Sequence, residues 1–111
     1  MTDHSAIVAG PDTEGLGTEL ESLDVPVTRI DGPVTGGRLD DAGIEETSLF
    51  VLTDLEEATG IAVAKERNPD VRAVVYSTDS LPEYAKGQAD LAVDPDLLTA
   101  DVVADELASA E

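Results

Sequence analysis

At 111 residues the chain is long enough for one hydrophobic core but too short for a catalytic domain beside a cofactor domain, so a single domain over residues 1–111 is expected. Its 25 acidic against 6 basic residues, a formal net charge of -19, exclude nucleic acid and anionic membranes as partners, because both are bound through Lys and Arg that neutralise phosphates. Cysteine is absent, which removes disulfides, thiolate metal sites and thiol nucleophiles.

In chain order, the first apolar run is AIVA (6–9), followed by a glycine turn and the helical stretch TEGLGTELESL (13–23). VPVTRI (25–30) reads as a second strand ending at Asp31, and GPVTGGRLDDAG (32–43) as a loop running into a short helix, RLDDAGI (38–44). SLFVLT (48–53) is the third strand. The helix LEEATGIAVAKERN (55–68) follows, with Leu55, Ala58, Ile61, Ala62 and Lys65 at helical spacing and Asn68-Pro69 as its stop. VRAVVYS (71–77), a helix over LPEYAKGQ (81–88), a last strand DLAV (90–93) and the helix LLTADVVADELAS (97–109) complete the chain. Short valine-rich runs alternating with helices predict a parallel sheet covered by helices on both faces. Phe50 and Tyr76, both in strands, are expected in the core.

No apolar run reaches the roughly 18 residues of a membrane span, and MTDHSAIVAG lacks the basic and long apolar regions of a signal peptide, so a cytoplasmic protein is expected. The acids are scattered between intact apolar segments rather than gathered in a tail. That distribution is similar to a cytoplasmic protein of a salt-loving archaeon, in which molar salt shortens the Debye length to about 3 Å and screens self-repulsion.

The turn IVAGPDTEGLG carries the first candidate site. As a P-loop it would need Lys and then Ser or Thr after the second glycine, where Leu16 and Gly17 stand. As a dinucleotide turn it has Gly10 directly after a strand, Gly15 at the start of a helix and Asp31 at the end of strand 2, where an acid binds a ribose hydroxyl. Asp12 takes the place of the second glycine and would set a carboxylate against a pyrophosphate. Its other reading is a helix cap.

Asp12, Asp31, Asp54, Asp79 and Asp94 each follow a strand, which places five acids on the carboxyl edge where open α/β sheets bind ligands. Either they cap turns and helices, or Asp12 and Asp54, with Thr53 or Ser77 nearby, offer oxygen ligands to a hard cation such as Mg or K. A phosphoacceptor receiver domain has the same element order, with an acid after strand 1, a target aspartate after strand 3, a hydroxyl after strand 4 and a lysine before proline after strand 5. Asp12, Asp54 and Ser77 or Thr78 can fill the first three roles. Asp94-Pro95 stands where the lysine belongs, leaving phosphoryl charge uncompensated.

The phrases IVAGPDTEGLGTEL, VTRID, DDAGIEETSLFVLTDLEEA, NPDVRAVVYSTD and ADLAVDPDLL, from Ala6 to about Leu107, resemble the nucleotide-binding domain of potassium-transport regulators, the RCK or Trk N-terminal (TrkA-N) type. The resemblance implies a Rossmann-like three-layer α/β sandwich with a five-stranded parallel sheet in the order 3-2-1-4-5. It implies NAD or an adenine nucleotide as ligand and a homodimer as assembly. Carried across, Gly10 and Gly15 belong to the glycine fingerprint, Asp31 to the ribose and Thr53 and Asp54 to the turn beside the nucleotide, while Asp12 departs from the pattern. The chain is also similar to short haloarchaeal proteins labelled CTP synthetase, although no cysteine nucleophile and no phosphate loop with lysine is present to support that activity.

His4 is the only histidine, and no Ser-His, Cys-His or lysine-based constellation can be assembled, so catalysis is not expected. The expected function is a small regulatory module that binds an adenine nucleotide or dinucleotide weakly at the strand 1 turn. The alternatives are a non-catalytic scaffold acting in dimerisation or protein interaction, and a cation-binding or receiver-like domain.

Overall fold

The computed structural model describes residues 5–109; His4 lies outside them. Five strands form one all-parallel sheet: β1 (Ala6–Ala9), β2 (Val27–Ile30), β3 (Leu49–Leu52), β4 (Arg72–Tyr76) and β5 (Leu91–Val93). Between and after them run α1 (Leu16–Ser22), α2 (Gly36–Asp41), α3 (Thr59–Arg67), α4 (Glu83–Lys86) and α5 (Ala100–Ser109). The α/β class, the five parallel strands and the helices on both faces are those read from the sequence.

The strand order is not. The sheet runs β2-β1-β3-β4-β5, which corrects the Rossmann-like order 3-2-1-4-5 to the flavodoxin-like one. The reason lies in the strands' own residues. In the Rossmann-like order β3 would be an edge and β2 would lie inside. β3 is LFVL, buried at every position, so it needs a neighbour on each side and a helix layer on each face. β2 is VTRI, with Thr28 and Arg29 exposed, a composition suited to an edge. β1 therefore pairs with β2 on one side and β3 on the other, Ala9 standing opposite Ile30 and Leu52.

Alternation along the strands sends side chains into two cores. Ile7, Phe50, Leu52, Ala73 and Val75 pack beneath α2, α3 and α4 with Leu39, Ile44, Ile61 and Val71. Val8, Val51, Val74 and Tyr76 pack beneath α1 and α5 with Leu16, Leu20, Val103 and Leu107. Phe50 and Tyr76 are buried as expected. Each fully buried large aliphatic or Phe side chain contributes roughly 1.5–3 kcal/mol relative to exposure, so the double-sided sheet is the main source of stability.

The helices begin and end where local chemistry allows. Residues 55–68 divide: Asp54 accepts a hydrogen bond from the Glu56 N–H (3.0 Å) and opens a 3-10 turn over Leu55–Glu57, and α3 starts only at Thr59. Glu57, instead of capping, reaches across to accept from the Val34 N–H (2.9 Å). α3 stops at Asn68-Pro69, where the Asn68 amide donates to the Ile44 and Thr47 carbonyls, 2.9 Å each. α2 starts earlier than expected because the Thr35 hydroxyl accepts from the Arg38 N–H (3.2 Å) and caps it at Gly36. α4 shrinks to a single turn after Pro82. Leu97 and Leu98 lie in a turn closed onto the Asp94 carbonyl, before α5.

Candidate functional site

Because β1 and β3 are neighbours whose connections leave in different directions, the crevice of this fold lies beyond their carboxyl ends. The residues after β1 are Gly10-Pro11-Asp12. Gly10 has φ +108°, a conformation that L side chains rarely adopt, and a Cβ there would stand 2.5 Å from Thr53 Oγ1 and 2.8 Å from the Asp54 nitrogen. Its glycine character therefore serves the close approach of the β3 end. Across that approach the Thr53 hydroxyl meets the Pro11 carbonyl at 2.7 Å and the Ala9 carbonyl at 3.2 Å, and the Thr53 N–H donates to Ala9 (2.9 Å). The loop is held to β3 by its own backbone.

Gly15 takes up φ +79° and opens α1 at Leu16, three residues later than the start expected near Thr13. Asp12 turns back over this end. Its carboxylate accepts from the Gly17 N–H at 3.1 Å and pairs with Arg29 of β2 at 3.2 Å. An intramolecular carboxylate thus occupies the helix N-terminus, where a bound phosphate would otherwise be favoured. Asp12 is not the N-cap residue of α1, which is Gly15, but its carboxylate reaches the Gly17 N–H inside the first turn.

The pocket between these loops is small, about 110 Å³, and is lined by Pro11, Asp12, Glu14, Thr53, Ser77, Thr78 and other residues of the same edge. Sites for drug-sized ligands occupy about 300–1,000 Å³. Asp31 is exposed at the end of β2 and does not line this pocket; neither does Asp54, whose carboxylate is engaged by Glu56. Of the proposed cofactor residues, Asp12 and Thr53 line this pocket together, and Gly10, Gly15, Asp31 and Asp54 are not among its lining. Nor do Asp12 and Asp54 converge on a cation: they have separate partners, and among the described residues no group of three or more His, Asp or Glu side chains could hold a metal ion. Of the five strand-end acids, Asp12, Asp54 and Asp94 accept backbone N–H bonds, the last from Asp96 at 2.8 Å.

Tyr76 closes the pocket floor. Its hydroxyl donates to the Leu98 carbonyl (2.9 Å), tying the end of β4 to the approach to α5. Burial, with the nearby charges of Glu14 and Asp101, raises the phenol above its ordinary value. A folded value above the unfolded one means that this contribution to stability is complete below about pH 10 and is lost as pH rises through the folded value. Tyr76→Phe should cost about 1 kcal/mol in denaturant unfolding at neutral pH. In a Tyr84→Phe background, an ultraviolet titration should show the remaining phenol ionising later than a free tyrosine; an ordinary titration would exclude the burial of the hydroxyl beside Glu14 and Asp101.

A family model described as Family of unknown function (DUF7126) matches residues 6–107. The chain belongs to the DUF7126 family. No curated protein compared with it matches. Several solved structures are similar in fold to this DUF7126 protein. HP1043, described as an orphan response regulator of H. pylori, is 15% identical, with a TM-score of 0.72 over 94% of this chain and 92% of its own. CpaE of Burkholderia thailandensis, described in terms of pilus assembly, is 16% identical, with a TM-score of 0.68 over 97% and 99%. A response regulator of Burkholderia pseudomallei, solved with a phosphorylated aspartic acid, is 19% identical, with a TM-score of 0.58 over 95% and 71%.

These matches give the DUF7126 chain a receiver-type fold. They overturn the resemblance to RCK and TrkA-N domains and the Rossmann NAD-binding and CTP synthetase-like readings: the sheet order is the receiver's, and the family model is neither of those. The glycine turn has another physical reason: Gly15 takes a positive φ, and Gly10 a positive φ together with the close approach of Thr53 and Asp54. Two of these three neighbours are described as response regulators and one in terms of pilus assembly; at 15–19% identity they show the fold alone. Among the described residues no helix is long and apolar enough to cross a membrane.

Proposed function

We propose that this protein is a receiver-like regulatory module that acts by binding other proteins and does so without phosphoryl transfer. The observation that carries this reading is the occupant of the crevice. At the end of β3 the side chain lining the pocket is Thr53, held by the Pro11 and Ala9 carbonyls, and the adjacent Asp54 is turned to a cap. A threonine hydroxyl used in this way is no phosphoacceptor carboxylate. Asp94 precedes Pro95 after β5, so the cation that would compensate a phosphoryl group is replaced by an anion. Asp12, the remaining acid of the crevice, is engaged by Gly17 and Arg29. On this reading Gly10, Asp12, Gly15 and Thr53 fix the loop that a receiver would use for chemistry, and Asp31 and Asp54 serve as solvated strand-end and capping acids.

The test is an amide chemical-shift titration with magnesium and beryllofluoride, a phosphoryl mimic, with NADH and ATP as further arms. Intact-mass analysis after incubation with acetyl phosphate accompanies it. The expected result is no response at Asp12, Thr53, Asp54 or Thr78 and no added phosphoryl mass. Shifts centred on those residues with beryllofluoride, or phosphorylation at Asp54, would make it an active receiver; shifts at Gly10 to Gly17 and Asp31 with NADH would restore the nucleotide reading.

A further inference from the structure

The sheet is incompletely covered at the β5 end, where no residue of the strand is fully buried. β5 is an edge strand of three residues, and Leu91 and Val93 are only partly covered. Between this edge and α5 runs a groove of about 440 Å³, with Leu91, Val93, Leu98 and Val102 among its lining and one residue of each charge, Arg72 and Glu106. Leu97 (80% exposed), Leu98 (46%) and Val102 (45%) are three of the five large apolar residues most open to water among those described. A second depression continues across α5 onto α1, where Leu23 and Val102 lie among Glu19, Asp101, Asp105 and Glu106. Leu23 is itself 41% exposed. The two depressions meet at Val102 and Glu106, the first lined mostly by apolar residues and the second by Leu23 and Val102 among four carboxylates, which makes a strip along α5 that is apolar on its β5 side and acidic on its α1 side.

Neither α1 nor α5 contains a single Lys or Arg, and no basic residue lines the α1 side of the strip. From this charge pattern and the apolar side of the strip together, we infer that the α5 face, on the protein-binding reading above, docks a basic amphipathic helix of a partner protein. Apolar residues of such a helix at i, i+3, i+4 and i+7 would lie on Leu23, Leu98 and Val102, and Lys or Arg on its flanks would meet Glu19, Asp101, Asp105 and Glu106. A second copy of this chain is a poor occupant, since it would bring the same carboxylates face to face in a molecule already carrying a net charge of -19. An added strand is also disfavoured, because β5 offers three residues of edge. Tyr76 supports the face from below by fixing Leu98 through its carbonyl.

The experiment uses two synthetic helical peptides with the same leucine face, one flanked by lysines and the other by glutamates, titrated into the full chain by fluorescence anisotropy and amide shift mapping. At about 0.3 M KCl the lysine peptide should bind at least about tenfold more tightly than its acidic isomer, and the difference should narrow towards about 3 M KCl as the charges are screened. Its shifts should centre on Leu23, Leu98 and Val102. Val102→Asp, at an exposed position and checked for folding by circular dichroism, should weaken binding by about tenfold or more. Equal binding of the two peptides at the lower salt, or indifference to Val102→Asp, would overturn the inference. So would self-association that Val102→Asp abolishes, which would assign the face to a second copy. A beryllofluoride response at Thr53 would instead sink the phosphorylation-independent reading and leave the peptide result to be judged by itself.

Discussion

Gly10→Ala should lower the free energy of unfolding by about 2–4 kcal/mol, the sum of a non-glycine residue forced to a positive φ and an overpacked contact. The added methyl would meet Thr53 Oγ1 at 2.5 Å and the Asp54 nitrogen and Cβ at 2.8 and 2.9 Å. None of these is the free end of a flexible chain: the nitrogen is backbone, and Thr53 is held by two carbonyls. Relief would require β1 and β3 to separate at their carboxyl ends, where the Thr53 N–H to Ala9 bond is 2.9 Å. Urea unfolding of the variant beside the parent measures the effect. A change within about 0.5 kcal/mol, the range of ordinary surface substitutions, would mean that the glycine is not there for packing and would reopen the question of a ligand.

Asp90→Ala should cost about 1–3 kcal/mol, because it leaves a buried backbone donor without a partner. The Asp90 carboxylate accepts from the Ala73 N–H of β4 (2.8 Å) and from Lys65 Nζ of α3 (2.5 Å), while its own N–H donates to the Ala73 carbonyl (2.9 Å). Ala73 is fully buried, while Asp90 itself is exposed, so water entering at the vacated carboxylate would offset part of the lost acceptor and keep the cost within this range. Lys65 also donates to the Val71 carbonyl at 2.7 Å. One carboxylate thus joins β4, β5 and α3, and its loss should loosen β5 first. Hydrogen exchange at Leu91 to Val93 would show whether the defect is local.

The same group gives a signed pH dependence. Burial by itself would raise the Asp90 carboxyl, but the Lys65 and Ala73 hydrogen bonds and the charges of Lys65 and Arg72 outweigh it and hold the group below its ordinary value. A folded value below the unfolded one means that the stabilisation is complete above the unfolded carboxylate value, near pH 4, and is lost as pH falls through the folded value. The stability gap between the parent and Asp90→Asn should therefore be constant from about pH 6 to 8 and shrink below about pH 4. A gap that does not change with acid would show that the ion pair contributes nothing.

How far each feature could be read follows from the range of the interaction that fixes it. Burial periodicity is local, so AIVA, SLFVLT and VRAVVYS revealed strands buried on two faces, and Phe50 and Tyr76 revealed core positions. Caps are local too, and Asp54 and Asp94 accept from N–H groups two residues ahead. The strand order is partly legible as well: Thr28 and Arg29 mark β2 as an edge, and LFVL marks β3 as interior. The glycine turn was the point of failure. A spacing of glycines looks the same whether the missing side chain makes room for a phosphate or for another strand.

The sequence by itself determined the α/β class, the five strands, the acidic surface and the absence of thiol chemistry, because each follows from composition or from contacts within a few residues. Only the tertiary structure decided that Gly10 faces Thr53, 43 positions away, that Asp12 closes the α1 terminus with Arg29, and that Leu98 and Val102 share a strip with Leu23. Those juxtapositions depend on which strands are neighbours. That choice is made by the summed burial of the whole sheet, which no local pattern records.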